Sequence, residues 1–378
     1  MGRVIHSLLA YRVPAVLSLR GGATARHVPV TVGREEPAMA DYQVAIVGGG
    51  PAGLAAALTL SRSLIRSIVI DSPLPPRNGA SPHVGAYPAM DMAAPHEIRD
   101  AMAEDIAKYG LADRKSAEIT EISGNARQDF KLSTRGGSTF TARRILLTTG
   151  MVDDFPTIAG LNGRWASSVI NCPFCQGFEH RNKAWSVYVH RPEILAAAEV
   201  YRNWTNFLTL IVNPSIEVSQ ERARTIKSLG IEMISGTVDT LRGQGNNLSE
   251  IILHDGRMVA SQVLLVWPRQ SQTDLVRSMG IALGKDGYVV VDNTYRTGTG
   301  GIYAAGDLTY GGHQNTNTAI HMGNMAAAWM VFDLSHDHRE DTGEVEEVKP
   351  APEPVTAAKP AATGQGVYDL LPERRRAV

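Results

Sequence analysis

Two cysteines, Cys172 and Cys175, stand in the run Asn171-Cys172-Pro173-Phe174-Cys175-Gln176-Gly177, and the chain holds no others. A disulfide stabilises by closing a loop, and a loop this short removes little chain entropy. The spacing suits a bond that opens and closes, because each thiol lowers the other's pKa and stands ready as its resolving partner. Two other uses compete with redox. Zinc normally takes four ligands at a structural site, and only His180 and His190 lie nearby; an inert structural pair is the third reading.

The elements that would position this pair begin with a phosphate loop. Tyr42-Gln43-Val44-Ala45-Ile46-Val47 reads as a short apolar strand, followed by Gly48-Gly49-Gly50-Pro51-Ala52-Gly53 and a helix through Leu54–Leu58. This is GxGxxG in its proper strand–helix context. Gly48 would permit the tight turn, Gly50 the approach of a pyrophosphate, and Gly53 close helix–strand packing, with Pro51 and Ala52 opening the helix at the phosphates. A second strand ends at Asp71, where an acid can accept hydrogen bonds from the adenosine ribose. The strand Arg144–Leu147 ends in Thr148-Thr149-Gly150, and Gly301–Ala305 ends in Gly306-Asp307. Both resemble the second and third FAD fingerprints of flavoproteins with two dinucleotide-binding domains. That likeness implies that Thr149, Gly150, Gly306 and Asp307 line FAD, with Asp307 at its ribityl or pyrophosphate portion; an N-cap role for Asp307 is the plainer reading.

Bulk properties frame the search. The chain has 378 residues, 43% hydrophobic and 20% charged, with a net charge of −1. That is ordinary globular composition, long enough for two domains. No basic field argues for nucleic acid, and no apolar run approaches the ~20 residues of a membrane span. So few cysteines fit a reducing, cytoplasmic setting. Residues 1–38 carry Arg3, Arg12, Arg20, Arg26 and Arg34 with no acid before Glu35. Mitochondrial transit peptides have this composition. The other reading is an upstream start, because Met39 directly precedes the first strand and Pro14, Gly21 and Gly22 interrupt any amphipathic helix. The expected division is an N-terminal extension (1–40), FAD-binding segments (41–153 and 271–334), an inserted NAD(P)-like segment (154–270) and a disordered tail (335–378). The tail's run at 367–371 is either a docking motif or solvated chain.

The order of FAD loop, Thr-Gly strand, CxxC, second domain and Gly-Asp strand resembles low-molecular-weight thioredoxin reductase over about residues 41–333. The resemblance implies an α/β fold of two Rossmann-like dinucleotide-binding domains, FAD, a redox disulfide and a homodimer. Asp71-Ser72-Pro73, Arg77-Asn78, His83 and the Cys-Pro-Phe-Cys…Gly177-Phe178-Glu179 segment look like one branch, the dithiol oxidases of the gliotoxin type. They place Arg77, Asn78 and His83 among the expected cofactor residues. The chain departs from thioredoxin reductases at the second dinucleotide site. After Ala184–Val189 a glycine-rich turn should follow, but the chain reads His190-Arg191-Pro192-Glu193. Side chains there would keep a pyrophosphate from the backbone, while Pro192 still suits a helix start. The next strand runs into Asn213-Pro214-Ser215, without the arginines that hold the NADPH 2′-phosphate in that family. Arg191 is left either to bind an anion alone or to cap a solvent face.

With one nucleotide site lost, electrons are expected to enter from a dithiol and to leave from reduced FAD to O2, giving H2O2. The resemblance implies that Cys175 faces the flavin and Cys172 the substrate, a small-molecule dithiol. Thioredoxin reductases carry an acid after the second cysteine; here Gln176 cannot exchange a proton. His313, in the turn that passes the flavin ring in the family, is the first candidate base, ahead of His180 and His321. Gln314 matches the family glutamine at the flavin, before a helix whose positive end would stabilise a reduced, anionic flavin. Loop residues 82–95 are expected to touch substrate. The competing functions are an NAD(P)H- or ferredoxin-dependent disulfide reductase and a non-enzymatic flavoprotein sensor.

Overall fold

A computed structural model of the chain describes residues 40–309 and 312–341. The Arg-rich extension and the 367–371 run fall outside them.

The chain opens with β1 (Tyr42–Val47), α1 (Pro51–Arg62), β2 (Ser67–Asp71), α2 (Pro95–Ala107) and β3 (Ala112–Ser116). An antiparallel meander follows: β4 (Ile119–Asn125), β5 (Asp129–Thr134) and β6 (Thr139–Leu147). A short β7 (Val152–Asp154) leads to β8 (Val169–Ile170), α3 (Pro173–Gln176), β9 (Trp185–Val189), α4 (Pro192–Ala196), α5 (Ala198–Tyr201), β10 (Leu208–Val212), α6 (Gln220–Ser228) and β11 (Glu232–Ser235). Then come β12 (Val238–Arg242), β13 (Glu250–Leu253), β14 (Met258–Ala260), β15 (Val263–Leu265), β16 (Arg269–Ser271), α7 (Asp274–Ser278), β17 (Ile302–Ala304) and α8 (Thr316–Asp341).

Two sheets result, the first mixed and the second parallel. The first runs β3-β2-β1-β6-β5-β4, with β17 beside the C-terminal end of β6. The second runs β11-β10-β9-β15-β8. β7 and β16, the two segments that pass between them, pair antiparallel. The central strands are mostly apolar because both faces are covered. In β9, Trp185, Val187 and Val189 pack towards Tyr201 and Leu210, while Tyr188 packs with Ile211 and Leu264 on the other face. In the first sheet, Val44 and Ile46 face Leu54, Leu60, Tyr303 and Met330. Each such large side chain, fully buried, contributes about 1.5–3 kcal/mol.

α8 lies on α1 so closely that a Cβ on Gly323 would sit 2.0 Å from the Ala52 carbonyl oxygen. Of the methionines on α8, Met330 is core and Met325 is exposed. α8 continues to Asp341, past residue 335 where the tail was expected to start; residues 342–378 lie outside the described residues. Its acidic end is anchored: the Asp337 carboxylate accepts from the buried Arg144 guanidinium, and Arg143 lies 3.6 Å from it. Composition alone placed that acid in a disordered segment.

Candidate active site

Cys172 and Cys175 are disulfide-bonded. Cys172 is extended and caps α3, with Pro173 in the first helical position, where no amide is missed. The Cys175 amide donates to Cys172 Sγ over 3.1 Å. Gln176 is buried, and its Nε2 donates to the Ala166 carbonyl at 3.1 Å. It ties the turn down and moves no proton. Behind it, Gly177 admits the Trp204 indole, whose Nε1 would lie 2.6 Å from an added Cβ. The Phe174 ring, 46% exposed, meets Trp204 at 5.4 Å and His313 at 5.6 Å between centroids.

Two further segments converge on this turn. A Cβ on Gly85 would stand 2.3 Å from the Cys175 carbonyl oxygen, so the loop carrying Gly85 lies directly against the redox pair. That loop is closed by Val84 N–H to Ala93 O (2.9 Å), Ala86 N–H to Asp91 Oδ1 (2.7 Å) and Asn317 Nδ2 to Ala86 O (2.8 Å). Ala86, Ala89 and Met92 hold φ of 59°, 70° and 66°, left-handed values that L-residues adopt at a cost. Backbone strain of this kind gathers at functional sites. On the same loop His83 Nε2 lies 3.8 Å from Glu179 Oε2, and neither of these buried atoms has a hydrogen-bond partner. His313 Nε2 is likewise buried and unpartnered. His180 is a poorer proton carrier, because burial and then the Lys183 ammonium push it below its ordinary value. His321 is exposed on α8.

The first dinucleotide cradle is open. Gly48 has φ +115°, and a Cβ there would lie 2.3 Å from the Thr148 carbonyl oxygen, so only glycine makes this turn. A Cβ on Gly53 would strike the Gly48 carbonyl at 2.0 Å, whereas one on Gly50 would meet nothing within 4 Å. Asp71 accepts from the Gly49 amide at 2.8 Å and from Arg99 at 2.6 Å. A cavity of about 400 Å³, lined by Gly49, Asp71, Pro76, Arg99, Arg114 and Lys115, continues outward from them. Gly50, Pro51, Asn78 and Arg99 share a smaller crevice with Thr316. Thr149 Oγ1 is buried and unpartnered beside Gly150 (φ +65°). An open glycine face, an orphaned hydroxyl, a carboxylate and cations fit a dinucleotide.

Arg77 is held in a cluster of acids and amides. Its Nε donates to Asp153 (2.6 Å) and its Nη1 to Asp307 (3.1 Å) and Gln314 Oε1 (2.9 Å). Gln270 Nε2 joins Asp153 (3.0 Å) to Gln314 (2.8 Å). Arg77 thus clamps the β7/β16 crossing to the Gly306-Asp307 turn, where burial raises Asp307 above the usual carboxylate range and Arg77 opposes it. The Asp307 carboxylate accepts from Arg77 in this clamp.

The second cradle carries side chains at its turn. No glycine stands between β9 and α4, and the helix there is broken into α4 and α5 at Ala197. His190 Nδ1 lies 3.2 Å from the Tyr188 carbonyl, and burial pushes its pKa down. Arg191 Nε is buried without a hydrogen-bond partner, and the residue as a whole is half-buried. Asn213 closes the turn after β10 on itself, accepting from Ser215 N–H (3.0 Å) and Oγ (2.7 Å). Arg222, the neighbouring cation, is spent on Glu199 and the Leu195 carbonyl.

Arg99, Asp153 and Gln270 escaped the sequence reading as site residues; Glu179 entered it only as the end of the Cys-Pro-Phe-Cys…Glu179 segment and Gly85 only within loop 82–95. Arg99, Asp153 and Gln270 belong to no motif, and only the fold brings them to the site.

The match to known proteins agrees with this geometry. The Pyridine nucleotide-disulphide oxidoreductase family model matches residues 42–190 and 210–323, and the chain belongs to that family. It is a thioredoxin reductase-like flavoprotein oxidoreductase acting on sulfur groups. Thioredoxin reductase tcpT of Claviceps purpurea is 28% identical over 69% of this chain and 85% of its own. Among solved structures, HlmI is 26% identical with a TM-score of 0.74, covering 80% of this chain and 95% of its own. An oxidoreductase from Agrobacterium tumefaciens is 27% identical with a TM-score of 0.72, covering 78% and 99%. The expected fold and the likeness to thioredoxin reductase-like enzymes, fungal ones included, are borne out. Among the described residues no helix is long and apolar enough to cross a membrane.

Proposed function

We propose that the protein is an FAD-dependent dithiol oxidase that closes a disulfide in a small-molecule, secondary-metabolite dithiol of the gliotoxin type and passes the electrons to O2, giving H2O2. The observation that carries this reading is the contrast between the two cradles: Gly50 faces open space, while His190, Arg191 and Pro192 occupy the turn where NADPH would need glycine. The interval outside the family match, 191–209, begins at that turn. Fungal relatives such as tcpT support the branch.

Gly48, Gly50, Pro51, Ala52, Gly53, Asp71, Asn78, Thr149, Gly150 and Gly306 would hold FAD, with Arg99 binding beside Asp71, and with Arg77, Asp307 and Gln314 fixing the wall of the site. Bound flavin supplies the two-electron acceptor for the cysteine pair. The chain's own residues do the rest. His313 takes the proton of the first substrate thiol. The resulting thiolate attacks Cys172, and the S–S bond breaks with its electron pair on Cys175. The second substrate thiol, once deprotonated, displaces Cys172 from the mixed disulfide and the product leaves. Phe174 and Trp204 give the substrate an aromatic floor at Cys172. The protein acts in the cytoplasm as a homodimer.

The test is aerobic turnover with a small dithiol and no nicotinamide. The account requires one H2O2 and one product disulfide per O2 consumed. Turnover that depends on NADPH would instead make the chain a reductase.

A further inference from the structure

The oxidase reading, on which this inference rests, leaves one proton without a carrier. A dithiol gives up two protons with its two electrons, and His313 accounts for one. Where the loop of Gly85 packs on the Cys175 turn, the structure offers a second acid–base pair. Gly85 packs on the Cys175 carbonyl, His83 lies two positions earlier on that loop, and Glu179 lies on the turn just after α3. Their facing atoms are 3.8 Å apart, enclosed, and without other hydrogen bonds. Two enclosed polar atoms with no partner are costly unless they exchange a proton or pair as ions.

We propose that His83 and Glu179 form the proton store of Cys175: His83 takes the proton of the second substrate thiol and holds it as an imidazolium, flanked by the Glu179 carboxylate, beside the Cys175 thiolate. The step balances. The first thiol loses its proton to His313, and its thiolate forms a bond to Cys172 Sγ as the Cys172–Cys175 bond breaks towards Cys175. The second thiol loses its proton to His83, and its thiolate bonds to the first substrate sulfur. The Cys172–substrate bond then breaks towards Cys172, which collects the proton held by His313. The product is a substrate disulfide; the enzyme holds a Cys172 thiol, a Cys175 thiolate and a His83 imidazolium. Reoxidation of the pair, with flavin and finally O2 as acceptor, releases both protons into H2O2. Glu179 acts through His83 and is a positioning residue.

The charged and titratable groups around His83 are Glu179 and His180 on the opposing turn, with Lys183 behind His180, and Asp91 on its own loop. The Lys183 ammonium and any charge on His180 oppose an imidazolium at His83, which makes the Glu179 carboxylate the group that permits one.

The test reads the cysteines themselves. The holoprotein is reduced anaerobically with a phosphine, and iodoacetamide alkylation of Cys172 and Cys175 is followed separately by mass spectrometry from pH 5 to 9. His83→Gln should move the midpoint of Cys175 alkylation up by at least about one pH unit, a tenfold loss of thiolate below the midpoint. Glu179→Gln should move it the same way, and Glu179→Asp should restore part of the shift. His313→Gln should leave Cys175 in place. An unchanged Cys175 profile in both His83→Gln and Glu179→Gln overturns the proposal, as does a shift produced by His313→Gln alone. Flavin loss from His83→Gln with an unshifted profile also counts against it and returns His83 to the cofactor. If the shifts appear but the wild type oxidises no dithiol, the proton store stands and the oxidase reading fails.

Discussion

Substituting Gly85 with alanine tests whether the strained loop holds the redox turn in place. Gly85 is not among the residues with positive φ, so alanine can adopt its backbone and the perturbation is steric. The new Cβ would lie 2.3 Å from the Cys175 carbonyl oxygen. Relief to the 3.0 Å that real Cβ atoms respect means the loop and the cysteine turn separate by at least 0.7 Å. Neither side yields freely: Asp91, Ala93 and Asn317 hold the loop, and Gln176 and Trp204 hold the turn. Overpacking of this kind costs about 1–3 kcal/mol. A displacement approaching 1 Å at a reacting centre costs up to about 10²-fold in rate. Gly85→Ala should therefore lower kcat/KM for a small dithiol by about 10- to 100-fold and Tm by several degrees, with full flavin content. Gly298→Ala, where an added Cβ meets nothing within 4 Å, is the control and should change neither. Wild-type kcat/KM in Gly85→Ala would refute the inference that this contact positions Cys175.

Three further outcomes follow from the same geometry. Gly50→Ala adds a Cβ to open space at φ −76°, so the Tm of flavin-free protein should stay within about 2 °C while flavin affinity falls at least about tenfold on fluorescence titration; unchanged affinity would place the pyrophosphate elsewhere. Gln176→Glu replaces a buried donor to the Ala166 carbonyl with an acceptor and should destabilise by about 2 kcal/mol in urea unfolding without raising turnover; faster turnover would mean that an acid after the second cysteine still serves this chain. His180 and His190 are both held below the ordinary 6.5 by burial, so the unfolded chain binds their protons first as pH falls. Stability should drop on acidification below about pH 6.5 and level off beneath the folded values, and a His180→Gln/His190→Gln double variant should flatten Tm between pH 7.5 and 5.5; an unaltered slope would contradict this.

The fold was legible wherever the chain announces it locally. Gly48 and Gly53 are forced by carbonyls 2.3 and 2.0 Å from where a Cβ would sit, so the motif is a direct record of the turn. Strands β1 and β9 are mostly apolar, broken only by Gln43 and Ser186, because both faces of each are covered. The missing glycine after Val189 was equally plain, and α4 does begin at Pro192. What escaped were partners far apart in sequence. The resemblance named Arg77 as a cofactor residue but not its ties to Asp153 and Gln314, which are distant in the chain. His83 was grouped with the flavin by resemblance, and only the packing of Gly85 on Cys175 sets it beside Glu179. Asp337 fell in the segment read as disordered because its partner Arg144 is 193 residues away in the chain.

The central claim is that one cradle holds a nucleotide and the other does not, so that electrons enter through Cys172. Anaerobic reduction of the purified yellow protein tests it most directly. A small dithiol should bleach the flavin absorbance within seconds, stoichiometrically, and admission of air should restore it with formation of H2O2. NADPH at millimolar concentration should leave the absorbance unchanged over the same time. Rapid bleaching by NADPH, with no response to the dithiol, would contradict the account.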